Sequence, residues 1–496
     1  MSKSLFRVKP VEPAPHVDAG EPVEGSLQGE ATLKRTLSGR QLILLGIGAV
    51  IGAGIFVLTG QAAANHAGPA IMLSFVLAGF ACALAGLCYA EFSAMMPVSG
   101  SAYSYSYATL GEFVAWFIGW CLVLEYLFAS STVAVGWSGY LVSFLTTTLG
   151  LPFPAELASA PLGWENGGFV RTGNIINLPA VVIVAAVSGL CYVGITQSAF
   201  VNGIIVAIKV AVIAAFLGFG VMYVDPANWT PFIPENQGTW GVFGESGVLR
   251  AATIVFFAYI GFDAVSTAAG EAKNPQRDMP IGILGSLVVC TIIYIAVCAV
   301  LTGMANYQEL GTAKPVATAL ELVMRDNPGA NLAWLKTAVE IGAIAGLSSV
   351  ILVMLMAQPR IFYTMSRDGL LPKLFGKVHP KHNTPYVGTI IVGVAACLLA
   401  ALMPLSVLGE LVSMGTLVAF ATVCLGVLVL RFKRPELHRP FRVPLAVILC
   451  PLGFLACMAL FFMSFIEHWG LFLLWTAIGM LIYFTYGYRN SKLNKA

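Results

Sequence analysis

Lys209 has the clearest claim to chemistry in this chain. It stands in NGIIVAIKVAVIAAF with no acidic residue within a helical turn, and it is the only basic residue in the middle of any apolar run. A lysine at hydrocarbon depth is costly, is usually held by carbonyls and marks function. Its ammonium can release a proton and take it back, so Lys209 is the first candidate for a proton-coupling group. Five carboxylates also lie inside apolar runs or at their ends: Glu91, Glu125, Asp263, Glu271 and Glu340. Asp263 and Glu125 sit deepest and suit a proton relay, whereas Glu91, near the end of a run, suits a relay, a gate or a simple cap.

Other chemistries lack support. No HExxH, GxSxG or GxxxxGK[ST] pattern occurs, so nothing points to hydrolysis or nucleotide use, and no enzyme activity is expected. The six histidines show no ligand spacing, and the ten cysteines fall inside or beside apolar runs without a CxxC pair. They read as small core hydrophobes, and no metal or cofactor is expected.

The second signal is the stretch LLGIGAVIGAGIFVLTG, Leu44 to Gly60, apolar enough for a membrane yet carrying Gly46, Gly48, Gly52, Gly54 and Gly60. Glycine inside a helix costs up to ~1 kcal/mol relative to alanine, which suggests a helix built to come apart. Unwound backbone at membrane depth is tolerated only where it is buried in protein or lines a cavity, and a ligand can supply the missing hydrogen-bond partners. A half-helix starting near Gly54 offers N–H groups to a carboxylate. A half-helix ending near Val50, and a second break after Phe256 in FFAYIGFDAVS, offer carbonyls to an ammonium. The ligand this implies is a zwitterion, an α-amino acid.

The elements that position these residues follow from composition. With 58% hydrophobic and 10% charged residues and a mean hydropathy of +0.83, the chain has too few polar residues to cover a soluble surface and belongs in a lipid bilayer. Twelve apolar runs are long enough, at about 18 residues or more, to cross the hydrocarbon. Those at 112–146 and 333–366 are long enough to tilt strongly. Of the 27 lysines and arginines, only Arg171, Arg250, Lys314, Arg325 and Lys336 fall in outer segments and Lys209 inside a run. The other 21 are then cytoplasmic, a strong positive-inside bias that places both termini in the cytoplasm. Residues 1–40, rich in Pro and Glu, read as a disordered cytoplasmic tail, and the first run as its own uncleaved insertion signal. The two interrupted runs stand five apart, which suggests inverted repeats over 41–224 and 248–431 with the site at their interface. Helices 11 and 12 (441–488) and a cytoplasmic tail (489–496) lie outside that core.

The segments IGAVIGAGIFVLTG, YAEFSAMMPVSGSAYSY, EYLFASSTVAVGWSGY, FFAYIGFDAVSTAAGEAKNPQRDMP and PRIFYTMSRDGLLP, in this order, resemble the cationic amino acid transporter family of the amino acid-polyamine-organocation superfamily, in its bacterial form. The resemblance runs from about 35 to 490. It implies an all-α membrane protein of the leucine-transporter type, with twelve transmembrane helices, a 5+5 inverted repeat and broken helices 1 and 6. It further implies amino acid transport by alternating access with proton coupling. The family's substrate contacts fall on the backbone of Val50, Ala53 and Gly54 in helix 1 and of Phe256, Ala258 and Ile260 in helix 6. Its helix 5 lysine matches Lys209, with the carbonyl region of Gly48 and the hydroxyls of Ser348 and Ser349 as neighbours. That ammonium stands where a sodium ion binds in other members and argues against sodium dependence. Met354 aligns where arginine and lysine carriers have a small polar residue, and methionine there shortens and greases the side-chain pocket.

The resulting expectation is a permease of the inner (cytoplasmic) membrane that moves small neutral L-amino acids such as alanine inward with protons. Two rivals are a cationic amino acid or polyamine exchanger and a membrane-embedded amino acid sensor that does not transport. No nucleic-acid partner is expected, and nothing in the sequence fixes the oligomeric state.

Overall fold

The computed structural model of the protein describes residues 5–10, 37–96, 100–165, 167–194, 199–269, 272–382 and 384–495. Glu271 lies outside the described residues.

The first apolar run starts where Ser38 and Gln41 close a capping box, the Gln41 side chain accepting from the Ser38 N–H at 2.9 Å. Helix α1 (Gly39–Val50) stops at Ile51, which is extended at φ −72°, ψ 98°. Helix α2 (54–67) then begins at Gly54 and is wound wide, as a π-helix, over Gly54–Leu58 and Ala63–Ala67. Wide winding leaves carbonyls without their usual partners, and side chains supply them: the Thr59 hydroxyl donates to Gly54 O at 2.9 Å and Tyr140 to Phe56 O at 2.7 Å.

Helices α3 (Ile71–Met95), α4 (Ser101–Thr109), α5 (Glu112–Thr148), α6 (Leu178–Val193) and α7 (Ala199–Gly220) follow. The second interrupted run begins with α8 (Gly244–Val255), tightens into a 3-10 turn over Phe256–Tyr259 and leaves the helix at Ile260 (ψ 134°). It passes Gly261 at φ +114° and regains one turn, α9 (Ala264–Thr267). Helices α10 (Pro275–Met304), α11 (Pro315–Asp326), α12 (Ala333–Arg367), α13 (Tyr386–Leu402), α14 (Leu405–Lys433) and α15 (Ala446–Ile482) complete the body.

Among the described residues, eight helices are long and apolar enough to cross a membrane, and α1, α6 and α13 are shorter apolar helices. The last two apolar runs are two helices, labelled together as α15, that meet at a kink at His468, where the backbone leaves helical angles (φ −121°, ψ 22°). A small departure from the all-helical expectation is the hairpin of β1 (Leu162–Glu165) and β2 (Gly168–Arg171), antiparallel, with Trp164 stacked on His468 at 5.1 Å.

The two interruptions are held at the centre. Helix α1 packs against α10, α7 and α12, α10 packs against α3, and α12 packs against α5 and α7. The interruptions also touch each other. A Cβ on Gly54 would lie 2.2 Å from the Cα of Ala258, and one on Gly261 would lie 2.9 Å from the Ala49 carbonyl oxygen, so only glycine permits this approach.

Part of the segment expected to be a disordered tail is ordered. Residues 5–9 lie extended across α4 and the start of α5. Glu112 N–H donates to Arg7 O at 2.9 Å, Phe113 N–H to Leu5 O at 3.1 Å, and Lys9 N–H to Tyr107 O at 3.0 Å. The first N–H groups of α5 have no partner within their own helix, and this strip satisfies them. Lys9 also pairs with Asp368 at 2.9 Å, and Arg7 donates to Leu493 O at 2.7 Å, so the first and last described segments meet at one end of the molecule.

Candidate substrate and ion site at the two helix breaks

All seven residues expected to hold substrate are buried: Val50, Ala53, Gly54, Phe256, Ala258, Ile260 and Met354. Six belong to the two interruptions. Met354 lies on α12 one turn beyond Val350, whose side chain is the nearest neighbour of Gly52, so Met354 shares the face that α12 turns toward the first break. The Phe256 ring meets Phe420 of α14 edge-on at 5.6 Å.

Tyr294 of α10 joins the two breaks. Its hydroxyl oxygen is 2.8 Å from Val50 O and 2.9 Å from Ala258 O, two carbonyls that share one proton. Its ring is fixed between Phe75 and Tyr259, at 5.3 and 5.6 Å. Sequence reasoning missed this residue. The available signal was a single phenol in the middle of an otherwise apolar run, TIIYIAVC.

Lys209 is fully buried, and its ammonium donates to Gly48 O at 2.8 Å and Ile51 O at 3.0 Å. Both carbonyls belong to the last turn of α1 and the residue that ends it, where a helix leaves carbonyls without internal partners. The expected partnership with Ser348 and Ser349 needs correction. Ser349 donates to Gly346 O at 2.8 Å, while Ser348 donates to Ile344 O at 2.8 Å and accepts from the Trp137 indole at 2.9 Å. Serines inside a helix commonly return their hydroxyls to the preceding turn. Gly346 lets the lysine stem lie against α12, where a Cβ would be 2.8 Å from Lys209 Cε, and this directs the ammonium past the serines to α1.

Asp263 and Glu125 come together. Asp263 follows the second break, and Glu125 sits on a π-wound turn of α5, Leu124–Phe128; both are fully buried and their carboxyl groups face each other. Asp263 accepts from the Tyr126 hydroxyl at 2.9 Å and the Gly261 N–H at 3.3 Å. Neither Glu125 oxygen has a hydrogen-bond partner among the described protein groups. Two acidic groups facing each other away from water repel when both are ionised, which makes the pair a candidate place for a proton.

The remaining carboxylates go elsewhere. Glu91, a relay or gate candidate, accepts from Arg431 at 2.5 Å and from the Val443 N–H at 2.7 Å, tying α3 to the far end of α14 rather than joining the breaks. Glu340 accepts from Thr148 at 2.6 Å and Ser143 at 2.5 Å, between α12 and the end of α5. Among the described residues, Glu410, Glu467 and His468 are close enough to hold a metal ion. Arg250 already bonds both carboxylates, each at 2.5 Å, which makes this an ion-pair cluster.

The family model described as "Amino acid permease" matches residues 37–485. The methylthioribose transporter of Bacillus subtilis (strain 168) is 46% identical over 495 residues, 99% of this chain and 100% of the relative. The branched-chain amino acid permease BcaP of the same organism is 45% identical over 496 residues, the whole of both chains. The vacuolar cationic amino acid transporter 4 of Arabidopsis thaliana is 37% identical over 408 residues, 82% of this chain and 65% of the relative. In fold, the chain resembles MhsT, solved in complex with L-phenylalanine, with a TM-score of 0.59 over 88% of this chain and 99% of that one at 15% identity.

Proposed function

This chain belongs to the amino acid permease family, and from that premise we propose that it carries neutral L-amino acids, small ones such as alanine foremost, inward across the inner membrane together with protons. Twelve crossings, a 5+5 inverted repeat and cytoplasmic termini are part of this reading, supported by the hydropathy pattern and the 21 lysines and arginines on one side.

The observation that carries the proposal is the meeting of two interrupted helices at Gly54 and Ala258, with a buried ammonium on the carbonyls that end the first of them. Backbone of Val50, Ala53 and Gly54 and of Phe256, Ala258 and Ile260 binds the amino and carboxylate groups common to all substrates, and Met354 limits the side chain. Lys209 couples: its ammonium fastens the end of α1 to α7, and loss of that proton releases α1. Asp263 and Glu125 supply a second place for a proton beside the break.

A second reading, branched-chain substrates, is favoured by the relationship to BcaP and by the apolar face of Val350 and Met354. Accumulation of labelled alanine, leucine, lysine and methylthioribose in proteoliposomes under an imposed inward pH gradient tests these. Accumulation of alanine supports the proposal, and leucine in preference to alanine selects the second reading. Lysine or methylthioribose alone overturns both, and binding without accumulation indicates a sensor.

A further inference from the structure

The Glu125 carboxyl is not the only buried polar group near the second break that lacks a protein partner. The Tyr89 and Tyr105 hydroxyls are also fully buried and unpartnered. Tyr89, on α3, sets its ring against Phe262 at 5.8 Å, one residue from Asp263, and against Tyr105 of α4 at 6.2 Å. The Tyr105 hydroxyl faces that of Ser266 on α9, and Ser266 donates to Ser101, the first residue of α4, at 3.1 Å. Tyr89 thus stands beside the carboxyl pair and beside Tyr105, and Tyr105 leads through Ser266 to Ser101 on α4, the helix that residues 5–9 cross.

A buried hydroxyl without a partner weakens a fold, and a phenylalanine in its place satisfies the same packing without that cost. Two such tyrosines side by side, next to a carboxyl pair, therefore serve something other than packing. The titratable groups facing the pair are Tyr126 and Cys121 of α5, Tyr89 and Cys82 of α3 and Tyr105 of α4, all neutral at pH 7 by their ordinary values. They can pass a proton on but do not hold a charge that would trap it.

We propose that the hydroxyls of Tyr89, Tyr105, Ser266 and Ser101, with water between them, conduct the proton between the Glu125–Asp263 pair and the cytoplasm. This rests on the proton coupling proposed above. In the release direction the pair gives up one proton and is left with one more negative charge. Each of these oxygens accepts a proton from the carboxyl side and passes its own onward, and water at the cytoplasmic end becomes hydronium. No hydroxyl is consumed.

The test uses the full chain in proteoliposomes, with Tyr105→Phe and Tyr89→Phe as separate variants and alanine as substrate. Because each substitution removes an oxygen that bonds nothing in the protein, the thermal unfolding midpoint in detergent should stay at or above that of the unaltered chain. pH-driven accumulation should slow about tenfold or more, as for a lost proton-transfer group, while alanine counterflow, which needs no net proton movement, is unchanged. Unchanged pH-driven accumulation in both variants overturns the conduit, and so does an equal loss of accumulation and counterflow. Glu125→Gln tests the reading beneath: if it still concentrates alanine from a pH gradient, the carboxyl pair carries no coupling proton, whatever the tyrosine variants do.

Discussion

At the scale of single residues, the account turns on buried polar atoms and what they touch. Lys209→Ala should abolish pH-driven accumulation of alanine in proteoliposomes while the protein still elutes as a single species in detergent, because the ammonium is the group that fastens Gly48 and Ile51 to α7. An alanine variant that still concentrates substrate passes the coupling role to Asp263 and Glu125. Tyr294→Phe should cost about 1 kcal/mol of stability, read as a lower thermal midpoint, and should weaken alanine binding by loosening both breaks. Met354→Ser should widen the ranking toward larger or basic amino acids in a competition panel. An unchanged ranking would mean that Met354 does not line the pocket.

Part of this was legible in the sequence and part was not. A lysine amid hydrocarbon and five glycines in one apolar span are conspicuous because each is costly where it stands. Tyr294 was not conspicuous, since a phenol is at home in an apolar run, and its importance comes from two carbonyls 244 and 36 residues away in the chain. Ser348 and Ser349 misled for the opposite reason. They follow Gly346, on which the lysine stem lies, but spend their hydroxyls on their own helix.

At the scale of elements, the interrupted helices depend on close approach. Gly54→Ala would set a methyl 2.2 Å from the Ala258 Cα, with backbone rather than a flexible side chain in the way. The breaks would have to part, at a cost of about 1–3 kcal/mol. We expect a folded protein that no longer transports, which counterflow with labelled alanine would check; normal counterflow would show that the two segments have room to separate. Hydropathy located the helices well, because length and apolarity are local properties. It separated the last two runs, as the kink at His468 does, but could not show that Trp164, distant in sequence, stacks on that residue. It also gave no sign of the strip at residues 5–9, whose partners are backbone groups at the start of α5 rather than a side-chain pattern.

At the scale of the whole molecule, ion pairs clasp the helices at both ends. At the end where the first and last described segments meet, Asp368 accepts from Lys9 at 2.9 Å and from Tyr103 at 2.7 Å. At the other end, Arg250 of α8 holds Glu410 of α14 and Glu467 of α15. Removing the guanidinium leaves two carboxylates without their cation, so Arg250→Gln should destabilise the protein by about 3–5 kcal/mol, read as a large drop in thermal midpoint. A small drop would mean that the cluster is wet and weakly coupled.

The central claim is that a neutral amino acid and a proton cross together. Its most direct test is to add alanine to sodium-free proteoliposomes holding the unaltered protein and a trapped pH dye, with no pH gradient imposed and the membrane voltage clamped by potassium and valinomycin. The account predicts that alanine entry acidifies the lumen and that Lys209→Ala vesicles show no such acidification. Alanine entry with no change in lumenal pH, or entry that appears only when sodium is supplied, would contradict it.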